Sequence, residues 1–422
     1  KLINQNHLKF STFLIIGKLT EIITKWYFRA APSFLKKFTL PFVFFDDGIP
    51  WSKQFTLYIK NYHFPWNFTY IIKPSISSKP INWELREKIL NNLKIENLSP
   101  FENCVLQLVW CFMPISFVEI FKDIRSKTKQ AVYSFKTKNI VMKTLDVQNE
   151  FTKILVAEKV NKGSFLNIYQ WVAAGGILDT TVALHDRSIC DKYLTSGWGD
   201  STDSKIYPIG IFRNLYNNKH HINSDGKALL ISNKIFKYGT FYESARPRSN
   251  QGEKKYLQDL FLFYKNLKQE IKDQTIIRQK LSSHIDHEKM WKREFPTINY
   301  DTKSKGKVDF YSLSNKSKIC ISTYADSHTY FETLAMNIPT LIFWDNDLFK
   351  INKSADFYMK KLGEVGIFHQ SSLAAALKLN SIWDIINEWW NEEKLQSVRK
   401  EFCEKYYKYP PEYNFFFKSL IK

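Results

Sequence analysis

A run of small hydroxyl side chains, in the segment Ser-Thr-Tyr-Ala-Asp-Ser-His-Thr, is the most chemically suggestive part of this sequence. Ser322 and Thr323 follow one apolar stretch, and Ser327, His328 and Thr329 lead into another. If the first stretch is a buried strand and the second a helix, the hydroxyls lie beside the free amides of a helix N-terminus. Such an arrangement binds anions, phosphate above all. The spacing therefore predicts an anion site in this loop.

The carboxylate that follows the loop, Glu332, has two interpretations. Thr329 and Glu332 match the S/T-x-x-E capping box, in which both side chains only close the end of a helix. Alternatively, Glu332 accepts hydrogen bonds from the hydroxyls of a ribose or another sugar. The spacing alone leaves both roles open.

A pair of glycines marks a second candidate site. Gly175 and Gly176 follow a predicted strand at residues 165–172, and glycine allows a ligand to approach the backbone closely. Asp179 and His185 lie downstream and provide side chains suited to general acid–base catalysis. The glycines match neither G-x-G-x-x-G nor a P-loop, and a surface histidine among acids is the commoner outcome of such a pattern.

Charged residues also end two predicted strands. Arg278 ends a strand at residues 275–278, where a guanidinium can pair with phosphate. Asp46 and Asp47 follow the apolar run at residues 42–45, and either carboxylate could act as a base or a nucleophile. All these positions lie where parallel strands end, which is where ligands bind in open α/β sheets.

Several other chemistries are disfavoured. His284 and His287 resemble half of a metal site, but no third ligand is suitably spaced, so we predict a surface position and no metal. The sequence contains no G-x-S-x-G motif of α/β-hydrolases and no nucleic-acid-binding signature. Its five cysteines include no C-x-x-C pair, which argues against structural zinc or a disulfide framework and favours a cytoplasmic location.

Composition and charge restrict the class of protein further. The 422 residues are 44% hydrophobic and 16% aromatic, which excludes disorder as the main state. With 61 Lys and Arg against 41 Asp and Glu, the net charge is +20 and the partners should be anionic. Basic residues concentrate at 122–143, either as a solvated face or as a contact with an anionic membrane surface. The most apolar stretch, residues 104–121, contains polar residues and is predicted to be a buried helix or a strand plus helix.

Alternating strands and helices predict the fold. Helices are expected at residues 82–97, 114–124, 147–162, 253–271, 329–337, 373–379 and 381–407. Strands are expected at residues 42–45, 165–172, 193–195, 228–235, 275–278, 318–323, 339–344 and 366–368. This alternation is typical of doubly wound parallel sheets. We therefore predict an α/β protein with two Rossmann-like domains facing across a cleft, divided at a polar segment, residues 213–226.

Four segments of the chain resemble a known family. These are residues 114–124; residues 174–176 together with 191–199; residues 322–344; and a last group at residues 366–369, 375–376, 389–390 and 402–406. They are similar to putative transferases from bacterial O-antigen and surface-carbohydrate gene clusters, which are related to two-domain GT-B glycosyltransferases. Residues 322–344 also resemble the donor-binding signature of GT-B enzymes in general.

The resemblance implies a domain arrangement and a set of roles. Residues 1–220 would form an acceptor-side domain, residues 221–380 a nucleotide-sugar domain, and residues 381–422 a helical tail packing back on both. The donor-binding residues would be Gly175, Gly176, Arg278, Ser322, Thr323, Ser327, His328, Thr329 and Glu332. The catalytic candidates would be Asp179, His185, Asp46 and Asp47.

The resemblance also implies the partners. The protein would take a nucleotide-sugar donor and a glycan or lipid-linked glycan acceptor, with no metal cofactor, at the cytoplasmic face of the inner membrane. One departure opens an alternative, because Ala173 and Ala174 stand where the family pattern has Gln-His before the paired glycines. The chain could then be a catalytically inactive relative that binds or scaffolds in glycan assembly. A basic binder of membranes or nucleic acid is the remaining alternative.

Overall fold

The computed structural model describes residues 39–45, 79–93, 95, 97–134, 136–145, 150–170, 173–211, 225–235, 250–279, 285–301, 310–409 and 417–418. The strands are β1 (Thr39–Phe45), β2 (Lys136–Lys143), β3 (Phe165–Tyr169), β4 (Lys192–Thr195), β5 (Ile206–Pro208), β6 (Lys227–Ser232), β7 (Thr275–Gln279), β8 (Asn299–Tyr300), β9 (Ser317–Ser322), β10 (Thr340–Phe343) and β11 (Phe368–His369). The helices of the first half are α1 (Trp83–Asn92), α2 (Pro100–Phe112), α3 (Phe121–Ser134), α4 (Glu150–Val160) and α5 (Thr181–Ile189). Those of the second half are α6 (Asn250–Lys265), α7 (Gln269–Asp273), α8 (His287–Glu294), α9 (Phe310–Asn315), α10 (His328–Ala335), α11 (Lys353–Glu364), α12 (Ser372–Ile382), α13 (Ile386–Asn391) and α14 (Glu393–Tyr406).

The strands form two sheets, so the predicted α/β class is confirmed. The first sheet has the order β1-β2-β3-β4-β5, with β1 parallel to β2 and β4 parallel to β5. The second has the order β11-β10-β9-β6-β7-β8, and all its strands are parallel. Helices connect the successive strands of each sheet, as expected for Rossmann-like units, except that a loop without a helix joins β4 to β5.

The second sheet changes direction at its centre. From β6 the chain passes outward to β7 and β8, then returns to the other side of β6 and continues through β9, β10 and β11. The neighbouring strands β6 and β9 therefore form the topological switch point, beside which open α/β sheets bind ligands. Their apolar residues are almost completely buried, as expected of central strands covered on both faces.

Two expectations about the first half are wrong. The apolar stretch at residues 104–121 is not a buried element, because α2 ends at Phe112 and none of its side chains is buried. The helix expected at residues 114–124 begins at Phe121, after a short 3-10 turn at Ile115–Phe117. The basic segment also conceals β2, whose Lys136 and Lys138 are exposed while its later residues are buried.

The chain divides into two compact units, and this division does not coincide with the division into two sheets. The described residues up to Asn167 belong to one unit, and those from Ile168 to Tyr409 belong to a second. The cut falls inside β3. The predicted domain division at 220/221 lies between the last strand of the first sheet and the first strand of the second, and it stays a prediction.

The second unit includes part of the first sheet because β4 is tied to the end of the helical tail. The Ser196 hydroxyl donates to the Tyr406 carbonyl (2.7 Å), and the Lys408 amide donates to the Ser196 carbonyl (2.8 Å). The Ile211 amide in turn donates to the Lys408 carbonyl (3.1 Å). These hydrogen bonds hold Ser196 and Ile211 against the end of α14 and the residues that follow it.

The same tail positions α10. Arg399 of α14 is buried and donates to the Leu334 carbonyl in the last turn of α10 (2.7 Å). Phe402 stacks on Phe331, with ring centroids 5.8 Å apart. Since α10 follows β9 directly, α14 fixes the helix that begins at the switch point.

Candidate functional site

Polar side chains gather at the carboxyl edge of the second sheet. Because its six strands are parallel, all of them end at one edge. The residues that end or directly follow the strands are Ser232, Gln279, Tyr300, Ser322, Trp344 and His369. The interiors of these strands are thus apolar, and polar groups lie along the edge at which the strands end.

A chain of hydrogen bonds crosses the switch point. The Asn233 amide donates to the Tyr256 hydroxyl (3.1 Å), which lies 2.9 Å from the Thr323 hydroxyl. Thr323 donates in turn to the Ile231 carbonyl (3.0 Å). Burial raises the pKa of Tyr256 far above its ordinary value, so its hydroxyl keeps its proton. Thr323 therefore ties α6, β6 and β9 together, which leaves one oxygen lone pair for any ligand.

Three predicted hydroxyls converge at the start of α10. Ser327 is the N-cap, and its oxygen accepts from the Thr329 amide (3.2 Å). The Thr329 hydroxyl lies 2.5 Å from that of Ser327 and 3.4 Å from that of Ser322. His328, the first residue of the helix, is part-exposed beside them. This group of hydroxyls lies beside the first amides of an eight-residue helix, as an anion site requires.

The capping-box interpretation of Glu332 is wrong. The cap is Ser327 rather than Thr329, so Glu332 is the fifth residue of the helix and cannot reach back to the cap. Its side chain is 3% exposed, and the Tyr407 hydroxyl donates to Glu332 Oε1 over a long 3.5 Å. Glu332 is thus a buried carboxylate that lies one helical turn after the hydroxyls at the start of α10.

Arg278 lies at the same level of the sheet as Ser322. Both are paired in register with Ile231, one from each side, so their backbones are about 10 Å apart. The guanidinium forms an ion pair with Asp301 at 3.1 Å, and both side chains are mostly buried. A phosphate bound by Arg278 would have to share it with this carboxylate.

The two glycines serve packing. They form a 3-10 turn at Ala173–Gly176, and a Cβ on Gly176 would lie 2.5 Å from the Trp198 ring. Trp198 is held there by its indole nitrogen, which donates to Gln170 Oε1 (2.7 Å). The Gly176 carbonyl accepts from Asn352 Nδ2 (3.2 Å). Sequence reasoning missed this role, although Trp198 lies in one of the segments that carry the family resemblance.

The candidate acid–base residues downstream lie on the surface. Asp179 is exposed and precedes Thr180, the N-cap of α5. His185 is exposed on α5, whereas its neighbour Asp186 is buried. The remaining candidates, Asp46 and Asp47, follow β1 in the sequence but lie outside the described residues.

Three groups that sequence reasoning missed mark the same edge of the second sheet. Within the described part of the chain, Tyr300 Oη, Trp344 Nε1 and Asn346 Oδ1 are buried and make no hydrogen bond. Buried polar atoms are normally satisfied by protein, ordered water or a ligand, because leaving one unpaired costs about 1–3 kcal/mol. All three follow or end a strand at the carboxyl edge, so they indicate a polar binding site there.

The predicted surface position of His287 is wrong. His287 is buried, and its Nε2 accepts from the Ile235 amide (3.2 Å), which fastens α8 to the residues after β6. Its partner in the suggested half-site, His284, lies outside the described residues. Among the residues described, no three His, Cys, Asp or Glu side chains are grouped so as to hold a metal ion.

His369, at the carboxyl edge of the second sheet, is expected to make the stability of the protein depend on pH. It ends β11, its Nε2 lies 3.1 Å from the Gly366 carbonyl, and burial together with nearby Lys378 lowers its pKa. The folded state therefore resists protonation, while the unfolded chain protonates near pH 6.5. Stability should be full above about pH 6.5 and should fall as the pH drops below it.

Denaturant unfolding of the wild type and His369→Gln across this range checks the expectation. The variant, which has no titrating ring, should lose stability less steeply below about pH 6.5. Parallel pH profiles for the two proteins would contradict it.

Fold and site together define an α/β protein with polar groups at the carboxyl edge of a parallel sheet, beside its switch point. The chain belongs to the LIC12162 family of transferases, whose model matches residues 4–414. A solved structure of a variant of the wall teichoic acid polymerase TagF is similar over 99% of this chain and 97% of that one, with 13% identity and a TM-score of 0.42. A likeness this remote supports no statement about chemistry. No curated protein matches the chain.

Proposed function

We propose that this transferase is a GT-B-like glycosyltransferase that takes a sugar from a nucleotide donor to build a bacterial surface polysaccharide of the O-antigen or capsule type. Family membership supports the transferase class. The observation that carries the donor assignment is the convergence of the Ser322, Ser327 and Thr329 hydroxyls on the first turn of α10, beside the switch point. Hydroxyls and free amides at that position suit the phosphates of a nucleotide sugar.

Each donor residue then has a chemical role. The amides of the first turn of α10 and its hydroxyls stabilise the negative charge that develops on the departing phosphate, so this step needs no metal ion. Arg278 adds a positive charge from β7. Glu332 accepts hydrogen bonds from sugar or ribose hydroxyls. Trp344 supplies an indole N–H near the same edge.

The acceptor side of the proposal rests on fewer observations. The acceptor is a glycan or a lipid-linked glycan bound near the Gly175–Gly176 turn, with Asp179, His185, Asp46 or Asp47 as the proton-transfer group. The chain acts at the cytoplasmic face of the inner membrane, where its anionic surface is a further partner. All five cysteines are free thiols, which is consistent with a reducing compartment.

One observation favours a second candidate function. Ala174, at the position where the family pattern has His, is fully buried, and its carbonyl accepts from the Ile177 and Leu178 amides. The position thus shapes the turn and offers no titratable group. A relative that binds the nucleotide sugar without transferring it would retain the donor site and serve glycan assembly as a binding protein.

A thermal-shift screen against UDP-, GDP-, CMP- and TDP-sugars tests the donor assignment. A ligand at about 100 times its dissociation constant adds about 2.7 kcal/mol to the free energy of unfolding, which is a clear shift of the melting temperature. We expect one nucleotide class to stabilise the protein. Transfer or donor hydrolysis by the pure protein then separates an active enzyme from a binding protein, and no shift with any donor would refute both.

A further inference from the structure

The helix α2 has an unusual composition for a helix at the surface. Of its thirteen residues only Glu102 is charged, and Glu102 is used in the capping box with Ser99 at the start of the helix. Nevertheless none of the side chains of α2 is buried. A helix that is apolar on most of its surface normally lies in a core or against a membrane.

The exposed large apolar side chains of α2 form one stripe. Phe101, Val105, Leu108, Val109 and Phe112 recur at helical spacing, so their side chains share one face of α2. Phe101 is 76% exposed and Phe112 is 80% exposed, which far exceeds what isolated surface apolar residues require.

More apolar side chains adjoin the stripe in sequence, on the elements before and after α2. Trp83 on α1 and Phe117 in the 3-10 turn are both more than half exposed. Aromatic residues of this kind are preferred at the boundary between water and a lipid layer.

A rigid connection holds α2 in place. Arg86 of α1 donates to the Trp110, Cys111 and Met113 carbonyls at the end of α2 and to both carboxylate oxygens of Glu119. Both partners of the ion pair are 3% exposed. The hydrogen bonds from Arg86 lower the pKa of Glu119 to about 2, so the ion pair persists at any physiological pH. The apolar stripe is therefore presented by a well-built helical hairpin.

Positive charge follows the stripe. Helix α3 carries Lys122, Arg125 and Lys129 as exposed side chains, while its acid Asp123 is paired with Lys79 (2.6 Å). These charges attract anionic lipid headgroups. If two copies of the chain met through this surface, their like charges would repel each other. Charge thus favours a lipid surface over self-association.

From these observations we propose that α2, with Trp83, Phe117 and the basic side chains of α3, forms a docking surface for an anionic lipid bilayer, and that the stripe of α2 lies in the headgroup region. At thirteen residues, α2 is too short to span a bilayer, which needs about 20. Among the described helices none is long and apolar enough to cross a membrane. The surface acts by lying on the bilayer, as interfacial amphipathic helices do. The proposal does not depend on the transferase reaction.

Vesicle flotation of the full chain tests the proposal. We expect binding to vesicles of phosphatidylcholine mixed with phosphatidylglycerol, and weaker binding to phosphatidylcholine alone. The double variant Phe101→Ser/Phe112→Ser should partition at least about tenfold less, because it loses the two most exposed apolar anchors. Replacing Lys122, Arg125 and Lys129 by Gln should weaken binding to the anionic vesicles only.

A matched control uses two exposed apolar residues elsewhere. Phe357 on α11 and Leu377 on α12 are 57% and 58% exposed, so Phe357→Ser/Leu377→Ser should bind vesicles as the wild type does. Nucleotide-sugar binding should be equal in all four proteins, which separates this proposal from that of the donor site.

Two outcomes would overturn the docking surface. One is equal flotation of the wild type and the Phe101→Ser/Phe112→Ser variant. The other is a wild-type dimer in size-exclusion chromatography that this variant converts to a monomer, with no flotation by either protein. The latter would assign the stripe to a second copy of the chain.

Discussion

Replacing Gly176 by alanine is expected to lower the free energy of unfolding by about 1–3 kcal/mol, the usual range for overpacking a dense site. The new Cβ would lie 2.5 Å from Trp198 Cδ1 and 2.6 Å from Trp198 Nε1, a separation that requires the ring to move. Movement of the ring breaks the bond from the indole to Gln170 Oε1, which also accepts from the Ser196 amide (3.2 Å). The cost therefore combines a steric and a polar contribution.

Gly199→Ala provides the matched control. The nearest atom to its new Cβ is Pro208 Cγ at 3.8 Å, an ordinary contact, so the free energy of unfolding should change little. Denaturant unfolding of the two variants and the wild type gives the comparison. If Gly176→Ala were as stable as Gly199→Ala, the packing explanation would fail and ligand access would remain the reason for the glycine.

Replacing Glu332 by glutamine is expected to weaken nucleotide-sugar binding by about 1–3 kcal/mol, the scale of a hydrogen bond to a charged group. Gln keeps the shape of the side chain and removes its charge, so the fold should be retained. The capping alternative no longer competes, because Ser327 caps the helix. Calorimetric titration of the wild type and the variant with the best ligand from the thermal-shift screen measures the loss.

Tyr407→Phe is the control that tests whether Glu332 serves only to stabilise the fold. It removes the hydroxyl that donates to Glu332 Oε1 but leaves the carboxylate in place. We expect donor affinity to stay near the wild-type value in Tyr407→Phe and to fall in Glu332→Gln. Loss of stability in both variants with unchanged affinity would assign Glu332 to the fold. The hydroxyls of Ser322, Ser327 and Thr329 would then remain as the candidate donor contacts.

Much of the second sheet could be predicted because its signals are local. The strands β6, β9 and β10 are short apolar runs buried on both faces, and a serine ends both β6 and β9. β2 was missed because Lys136 and Lys138 precede its buried residues, so its start has the composition of a solvated surface. The prediction for residues 104–121 was wrong in the opposite direction, since their apolar composition predicted burial, whereas the helix α2 is exposed.

The α/β class, most of the helices and strands of the second half, and the loop of hydroxyls before α10 could be predicted from the sequence alone. These features depend on neighbours along the chain, through hydrophobic periodicity and the chemistry of helix ends. Three contacts could be seen only in the folded chain: Arg278 and Ser322 flank Ile231, Gly176 packs on Trp198, and the Tyr407 hydroxyl donates to Glu332. Strand order and contacts between distant residues follow from the packing of the whole core, which buries apolar area and satisfies backbone groups together. No short stretch of sequence determines this packing. The loop of hydroxyls therefore suggested where the site lies, but the side chains that meet there depend on the fold.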